Sequence, residues 1–281
     1  MTRTAFDESE RRTWAGRADA YANSFAKLCA YPVPLLLDAA GVRAGVRDPA
    51  RVLDVGTGTG TAAAAAYGRG ARVTAVDAAP DMVARTAREV PGVEAHVAAL
   101  PHLPFPDAAF DAVIGNFVLN HVGRPREAVR ELRRVLRPGG RAAVTVWAAP
   151  PAAGQALLGR AVQAAGVSRP AHLPALAPEE DFPRTEQGLV ALLAEAGLTD
   201  VVGETLAWDH RTTREEWWSG PAAGVATVGQ VVTGQSPAVV AEIKERFASL
   251  AEEFADGDND PDGVLVLPHK ALLARGLCRA G

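Results

Sequence analysis

The segment Leu53-Asp54-Val55-Gly56-Thr57-Gly58-Thr59-Gly60 constrains this chain more than any other stretch. It overlaps the short apolar run Arg51 to Val55 and precedes the alanine-rich stretch Thr61 to Tyr67. A strand, a glycine turn and a helix are therefore predicted in that order. Glycine lets the backbone approach a ligand closely, and the helix that follows offers unpaired N–H groups. A second strand, Ala71 to Val76, ends at Asp77. That puts a carboxylate at the neighbouring strand tip, within reach of both ribose hydroxyls of a nucleoside. The dinucleotide fingerprint G-x-G-x-x-G would need its third glycine where Thr61 stands; the spacing here is D-x-G-x-G-x-G, from Asp54 to Gly60. An acid two residues before the first glycine can fix the turn through its own backbone amides, and so tight a turn suits a methionine tail better than a pyrophosphate. A nicotinamide site and a ligand-free turn stand as the alternatives.

The alternation continues. Pro80 to Arg88 reads as a helix, Val93 to Val97 as a third strand and Asp111 to Gly115 as a fourth. Arg126 to Leu136 is helical and stops at Pro138-Gly139-Gly140; Arg141 to Trp147 is a fifth strand. Such βαβα order implies a parallel sheet covered on both faces. Before it, residues 8–45 read as helices, with Trp14, Ala18, Tyr21 and Phe25 on one stripe. After it, regularity lapses at 148–187 and at 209–262, apart from a helix near Ala153 to Ala165 and two or three helices within 211–256. Gly188 to Ala196 is a helix closed by Gly197, Thr199 to Trp208 a sixth strand, and Val264 to Leu267 a last one that can continue past Pro268 to Leu273. The expectation is one α/β domain over 1–281, Rossmann-like, with a seven-stranded, mostly parallel sheet and helices on both faces. Its core comprises about 46–147, 188–208 and 263–277. A helical cap comes from 1–45, 148–187 and 209–262.

Composition narrows the function. With 48% hydrophobic and 22% charged residues, a disordered chain is excluded. A net charge of −4 leaves no overall basic footprint for nucleic acid. The first residues are charged, without the apolar core of a signal peptide, and no run approaches a membrane span, so a cytoplasmic location with no membrane partner is expected. Cys29 and Cys278 lie too far apart for a metal or redox spacing and read as free thiols. Asp258 to Gly263 begins like a calcium loop, but Pro261 interrupts it and His269 stands where the twelfth-position Glu belongs; no metal is expected. The run Arg124, Arg126, Arg130, Arg133, Arg134, Arg137 and Arg141 reads as a solvated helix face.

Several blocks, in order, resemble the class I S-adenosylmethionine-dependent methyltransferases, in the group of ubiquinone and menaquinone biosynthesis methyltransferases. They are Val52 to Gly60, Asp77, Leu103-Pro104-Phe105-Pro106-Asp107 leading to Phe110 to Val113, Asn120-His121-Val122, Arg134 to Gly140, and Ala196-Gly197-Leu198. The resemblance implies S-adenosylmethionine as cofactor. Asp54, Gly56, Thr57, Gly58 and Gly60 would then surround its methionine tail. Asp77 would hold the ribose, with Ala78 and Met82 flanking the adenine and Ala99 and Leu100 on its other face. Asn116 would lie near the methionine amino group or the sulfonium, or else serve as a turn residue. The family commonly has Asp at the position of Ala99, so the adenine amino group must find another partner here.

The resemblance says little about the acceptor. Methyl transfer is an in-line displacement, and a base is needed only when the nucleophile must lose a proton. His121 follows the fourth strand at the carboxyl edge and is the leading base; packing is its other explanation. Tyr21 resembles the tyrosine that N-terminal helices of the group place over the cofactor, and also fits an ordinary aromatic stripe. Tyr31, Trp147, His172 and Trp217 are pocket candidates, the tryptophans suiting an apolar acceptor. The expected function is methylation, at O, N or C, of a small, fairly apolar molecule in bacterial natural-product biosynthesis, by a monomer or homodimer. A cyclisation or rearrangement on the same scaffold, and a non-catalytic S-adenosylmethionine-binding protein, are the rivals.

Overall fold

The computed structural model describes residues 3–45, 47–257 and 263–279. The start of the calcium-like segment, 258–262, lies outside them. Four short helices lead: α1 (Ala5–Trp14), α2 (Ala18–Ala22), α3 (Phe25–Cys29) and α4 (Val33–Ala39). Then come β1 (Arg51–Val55), α5 (Thr61–Gly68), β2 (Arg72–Asp77), α6 (Pro80–Glu89), β3 (Glu94–Val97), β4 (Phe110–Asn116), α7 (Pro125–Val135) and β5 (Leu136–Trp147). The second half holds α8 (Ala153–Ala164), α9 (Glu186–Glu195), β6 (Thr199–Thr213), α10 (Arg214–Ala222), α11 (Ala226–Thr233), α12 (Pro237–Ala251) and β7 (Val264–Leu277).

The seven strands form one sheet in the order β3-β2-β1-β4-β5-β7-β6. All neighbours are parallel except β7, which runs antiparallel to both β5 and β6. The order reverses between β1 and β4, and the crevice outside the carboxyl ends of the strands at such a point is where open α/β sheets bind ligands. Alternate side chains feed two separate cores. Leu53, Val55, Val113 and Val144 pack with Val129 and Leu132 of α7 and Leu189 and Leu193 of α9. Val52, Ile114 and Ala143 face the other way, onto Leu36 and Leu37 of α4 and Ala63 and Ala66 of α5. Leu53, Leu132 and Leu36 are fully buried, and each such side chain contributes about 1.5–3 kcal/mol.

Two strands differ from expectation. β5 begins at Leu136 rather than Arg141. The Pro138-Gly139-Gly140 segment breaks register, pairing Phe110 with Leu136 and Ala112 with Arg141. It stays in the sheet because Gly139 N–H donates to the Cys278 carbonyl (2.6 Å) and Cys278 N–H to that of Gly140 (2.9 Å). β6 and β7 continue together well past the end of β5, from Trp208 opposite His269 to Thr213 opposite Val264. Pro268 is tolerated because β5 ends opposite Ala271, so only one neighbour pairs with it there. This two-stranded arm carries a third core: Leu265 and Leu267 pack with Leu157 of α8, Trp217 and Trp218 of α10, and Ile243 and Phe247 of α12.

Three arginines of α7 are structural ties, while Arg130 and Arg137 are exposed. Arg126 donates to the Glu180 carbonyl (2.9 Å), Arg133 to that of Gly197 (3.0 Å), and Arg134 to both carboxylate oxygens of Glu131 (2.7 and 2.8 Å). No helix among the described residues is long and apolar enough to cross a membrane.

Candidate active site

The glycine turn is built from its backbone outward. Gly56 and Thr57 N–H both donate to the Val76 carbonyl (2.8 and 3.0 Å), tying the end of β1 to β2. Gly56, Gly58 and Gly60 have φ of +69°, +56° and +86°. A Cβ on Gly56 would stand 2.4 Å from the Val118 side chain, so both conformation and space require glycine there. Asp54 is buried beneath the turn and accepts the Thr57 hydroxyl (2.7 Å). Burial pushes its carboxyl up to about 7, the Thr57 bond partly opposing.

Asp77 ends β2 and faces open space. Its two oxygens accept the N–H groups of Gly58 and Ala79, each at 2.9 Å. Burial raises its carboxyl above the usual range, and those two amides limit the rise. Each carboxylate oxygen retains a second lone pair.

A cavity of about 960 Å³ begins over Gly56, Gly58 and Asp77 and continues beneath the cap. At the β2–β3 end its walls are Ala78, Met82, Ala99 and Leu100; at the β4–β5 end they are Phe117, Trp147, Leu158, Val228, Trp217 and His269. The second end is mostly apolar and aromatic. Phe117 holds a left-handed conformation (φ +61°) at the end of β4, with its N–H donated to the Thr145 carbonyl (3.1 Å). Its ring thereby stacks on Trp147, centroids 4.0 Å apart. His269 donates its Nδ1–H to the Leu267 carbonyl (2.8 Å), and burial lowers its imidazole to about 4, so it is neutral near pH 7.

A polar cluster stands under α1, where Trp14 and Tyr21 pack on Ala79 and Met82. His121 Nδ1 lies 2.7 Å from a Glu10 carboxylate oxygen, and the Trp14 indole N–H donates to that same oxygen (3.2 Å). Burial opposes ionisation of Glu10, but the bonds from His121 and Trp14, with the charges of His121 and Arg169, hold it below the ordinary carboxylate range. Trp14 meets Tyr21 and His121 edge-on, at 5.4 and 5.1 Å between centroids. Tyr21 lies against Gly58, its Cε1 3.4 Å from where a Cβ would be. Burial pushes Cys29 up to about 11. Asn116 donates to the Cys29 carbonyl and accepts from the Thr145 hydroxyl, both at 2.7 Å.

Residues 53–144, which carry the glycine turn, Asp77, Asn116 and His121, match the family described as a methyltransferase domain.

Curated methyltransferases share sequence with this chain. Demethylmenaquinone methyltransferase of Thermus thermophilus is 42% identical over 109 residues, 37% of this chain and 50% of that protein. Its counterpart in Clavibacter sepedonicus is 36% identical over 104 residues, 36% of this chain and 42% of that protein. Malonyl-[acyl-carrier protein] O-methyltransferase of Pseudescherichia vulneris is 36% identical over 134 residues, 47% of this chain and 51% of that protein. The chain thus spans about half the length of these relatives, or less. In fold, the YcgJ protein of Bacillus subtilis superposes with a TM-score of 0.55 at 22% identity, covering 89% of this chain and 99% of that one.

S-adenosylmethionine is the cofactor of this domain class, and the chain's own geometry fits it. The glycine turn leaves the cavity floor free of side chains at Gly56 and Gly58, and a half-buried carboxylate with spare lone pairs stands one strand away.

Of the residues singled out from sequence, Tyr21, Gly56, Gly58, Asp77, Ala78, Met82, Ala99, Leu100, Asn116, His121, Trp147 and Trp217 line the cavity. Asp54, Thr57 and Gly60 do not; they shape the turn from below, and a Cβ on Gly60 would stand 3.0 Å from the Thr86 side chain. Tyr31 is 44% exposed and stacks on Trp208 outside the cavity, where Pro32 and α4 turn it away. His172 is exposed in the segment between α8 and α9 and contributes nothing to the lining. Glu10, Phe117 and His269 line the cavity without a sequence signal of their own. Glu10 sits among charged neighbours that read as solvated, and His269 becomes a wall only through the β6–β7 pairing.

Proposed function

We propose that the chain is an S-adenosylmethionine-dependent methyltransferase acting on a small, fairly apolar molecule, of the kind tailored in bacterial natural-product biosynthesis. The observation that carries this is one continuous cavity joining the glycine and Asp77 cradle to an aromatic, apolar chamber. When bound, S-adenosylmethionine supplies a methyl group on a positively charged sulfur, open to in-line attack.

The chain's residues bind, orient and exclude water. The Gly56–Gly58 backbone borders the methionine tail. The spare lone pairs of Asp77 accept the ribose hydroxyls. Ala78 and Met82 flank one face of the adenine, and Ala99 and Leu100 the other. Ala99 has no carboxylate to receive the adenine amino group, which lowers affinity relative to an Asp at that place. Asn116 spends its amide on Cys29 and Thr145, so it braces the wall between the two ends. Phe117, Trp147 and Trp217 offer flat apolar surface to the acceptor, and α1, Tyr21 and α10 keep water out. His121 lines the cavity and takes the acceptor's proton.

Incubation with S-adenosylmethionine carrying a labelled methyl group, against an apolar bacterial extract, tests the proposal. A product heavier by one labelled methyl is expected, falling about a hundredfold or more with His121→Ala. Label that never leaves the cofactor contradicts transfer, and undiminished transfer by the variant leaves His121 as packing.

A further inference from the structure

We infer that Glu10 is a positioning residue: it fixes His121 in the Nδ1–H tautomer, so that Nε2 is the bare nitrogen that receives the acceptor's proton. The inference rests on the methyl-transfer function proposed above. Two contacts to His121 Nδ1 compete. Glu10 approaches it at 2.7 Å, and the Trp14 indole N–H lies 3.4 Å away. A donated indole hydrogen needs a lone pair on Nδ1; a carboxylate neighbour needs a hydrogen there. The Trp14 indole N–H can only donate and it reaches the same Glu10 oxygen that faces Nδ1, so Glu10 presents an accepting carboxylate there. The hydrogen between Glu10 and His121 therefore sits on Nδ1, and the Trp14 hydrogen goes to Glu10 instead, at 3.2 Å. One carboxylate oxygen thus gathers both donors, and the tautomer of His121 follows from it.

The helix that carries Glu10 is pinned so that this contact is kept. Thr4 and Asp7 form a reciprocal cap at the start of α1, and Asp7 also accepts the Gly123 N–H (2.7 Å). Asp7 and Glu10, one turn apart on α1, therefore grip Gly123 and His121 from the same side. Glu10 is only 8% exposed, unusual for a glutamate in a charged helix.

In the neutral imidazole with hydrogen on Nδ1, Nε2 has the only lone pair available to a proton. The acceptor's X–H bond breaks and its proton passes to Nε2. The electron pair left on X forms the bond to the methyl carbon, and the pair of the broken carbon–sulfur bond leaves on sulfur. His121 becomes a cation beside the Glu10 carboxylate and later returns the proton to solvent. A base so oriented serves an acceptor atom that has a proton to lose, a hydroxyl in the simplest case.

Nitrogen-15 NMR of histidine-labelled protein, saturated with S-adenosylhomocysteine at mildly alkaline pH, reads the tautomer directly. The His121 resonances are assigned by their loss in His121→Ala. In the wild type a protonated Nδ1 and an unprotonated Nε2 are expected. In Glu10→Ala the ratio of Nδ1–H to Nε2–H should fall about tenfold to a hundredfold, the worth of a hydrogen bond to a charged group. Glu10→Asp should restore part of it. A wild-type His121 with its hydrogen on Nε2 overturns the inference even if no variant folds, and an unchanged ratio in folded Glu10→Ala reduces Glu10 to an anchor for α1. Calorimetry with S-adenosylhomocysteine on the same wild-type sample separates the two proposals: no binding sinks the methyltransferase function, whatever the tautomer.

Discussion

Asp54 and Asp77 stand at adjacent strand ends, and burial pushes both toward protonation. Only Asp77 meets the cavity; Asp54 has the Thr57 hydroxyl on one oxygen and no partner on the other. Its carboxyl rises from 3.8 to about 7 on folding. A raised folded value means that the native state binds the proton more tightly than the unfolded chain. The stability from Asp54 is thus fully present below about pH 4 and is lost as pH climbs through about 7. Asp54→Asn mimics the protonated form. In denaturant melts it should gain stability relative to wild type between about pH 5 and about pH 8. A difference that stays constant over that range contradicts the account. Asp77 was legible in the sequence because a strand tip beside a glycine turn has few other uses. Glu10 was not: Asp7-Glu8-Ser9-Glu10-Arg11-Arg12 reads as a solvated face until α1 docks against His121 and Gly123.

At the scale of elements, α1 acts as a roof held by a few polar contacts rather than by an apolar face. Asp7 serves twice, capping its own helix and accepting Gly123 N–H. Asp7→Ala removes both, a loss of about 1–2 kcal/mol that falls on α1 alone. Hydrogen exchange of the α1 amides should quicken roughly tenfold while β1 and β4 keep their protection. Uniform quickening across the sheet would mean that α1 belongs to the main core. The strands β1, β2 and β4 were readable as apolar runs bounded by turns, because a parallel strand is buried on both faces. The outer half of β6 was not. Asp209-His210-Arg211-Thr212-Thr213 looks polar, yet His210 and Thr212 are buried and the segment pairs with β7 throughout. Its strand character comes from that partner and from the third core, which no local pattern encodes. β5 began early for a similar reason: Pro138-Gly139-Gly140 reads as a stop, and only the Cys278 backbone makes it part of the sheet.

In the molecule as a whole, the sheet supplies one half of the cavity and the cap the other. The glycine turn and Asp77 depend on strands that the sequence announces plainly. The aromatic chamber is assembled from the end of β4, β5, α8, α10, α11 and the β6–β7 arm, so its shape follows from tertiary packing. This is why most residues picked beside the glycine turn line the cavity, whereas Tyr31 and His172 were placed in a chamber they do not reach. The central claim is that this cavity holds S-adenosylmethionine with its ribose on Asp77. Isothermal titration of S-adenosylhomocysteine into the wild type and into Asp77→Ala tests it most directly. Saturable one-site binding is predicted for the wild type, weakened at least tenfold in the variant, about 1.4 kcal/mol. No binding to the wild type, or equal affinity in the two proteins, would contradict it.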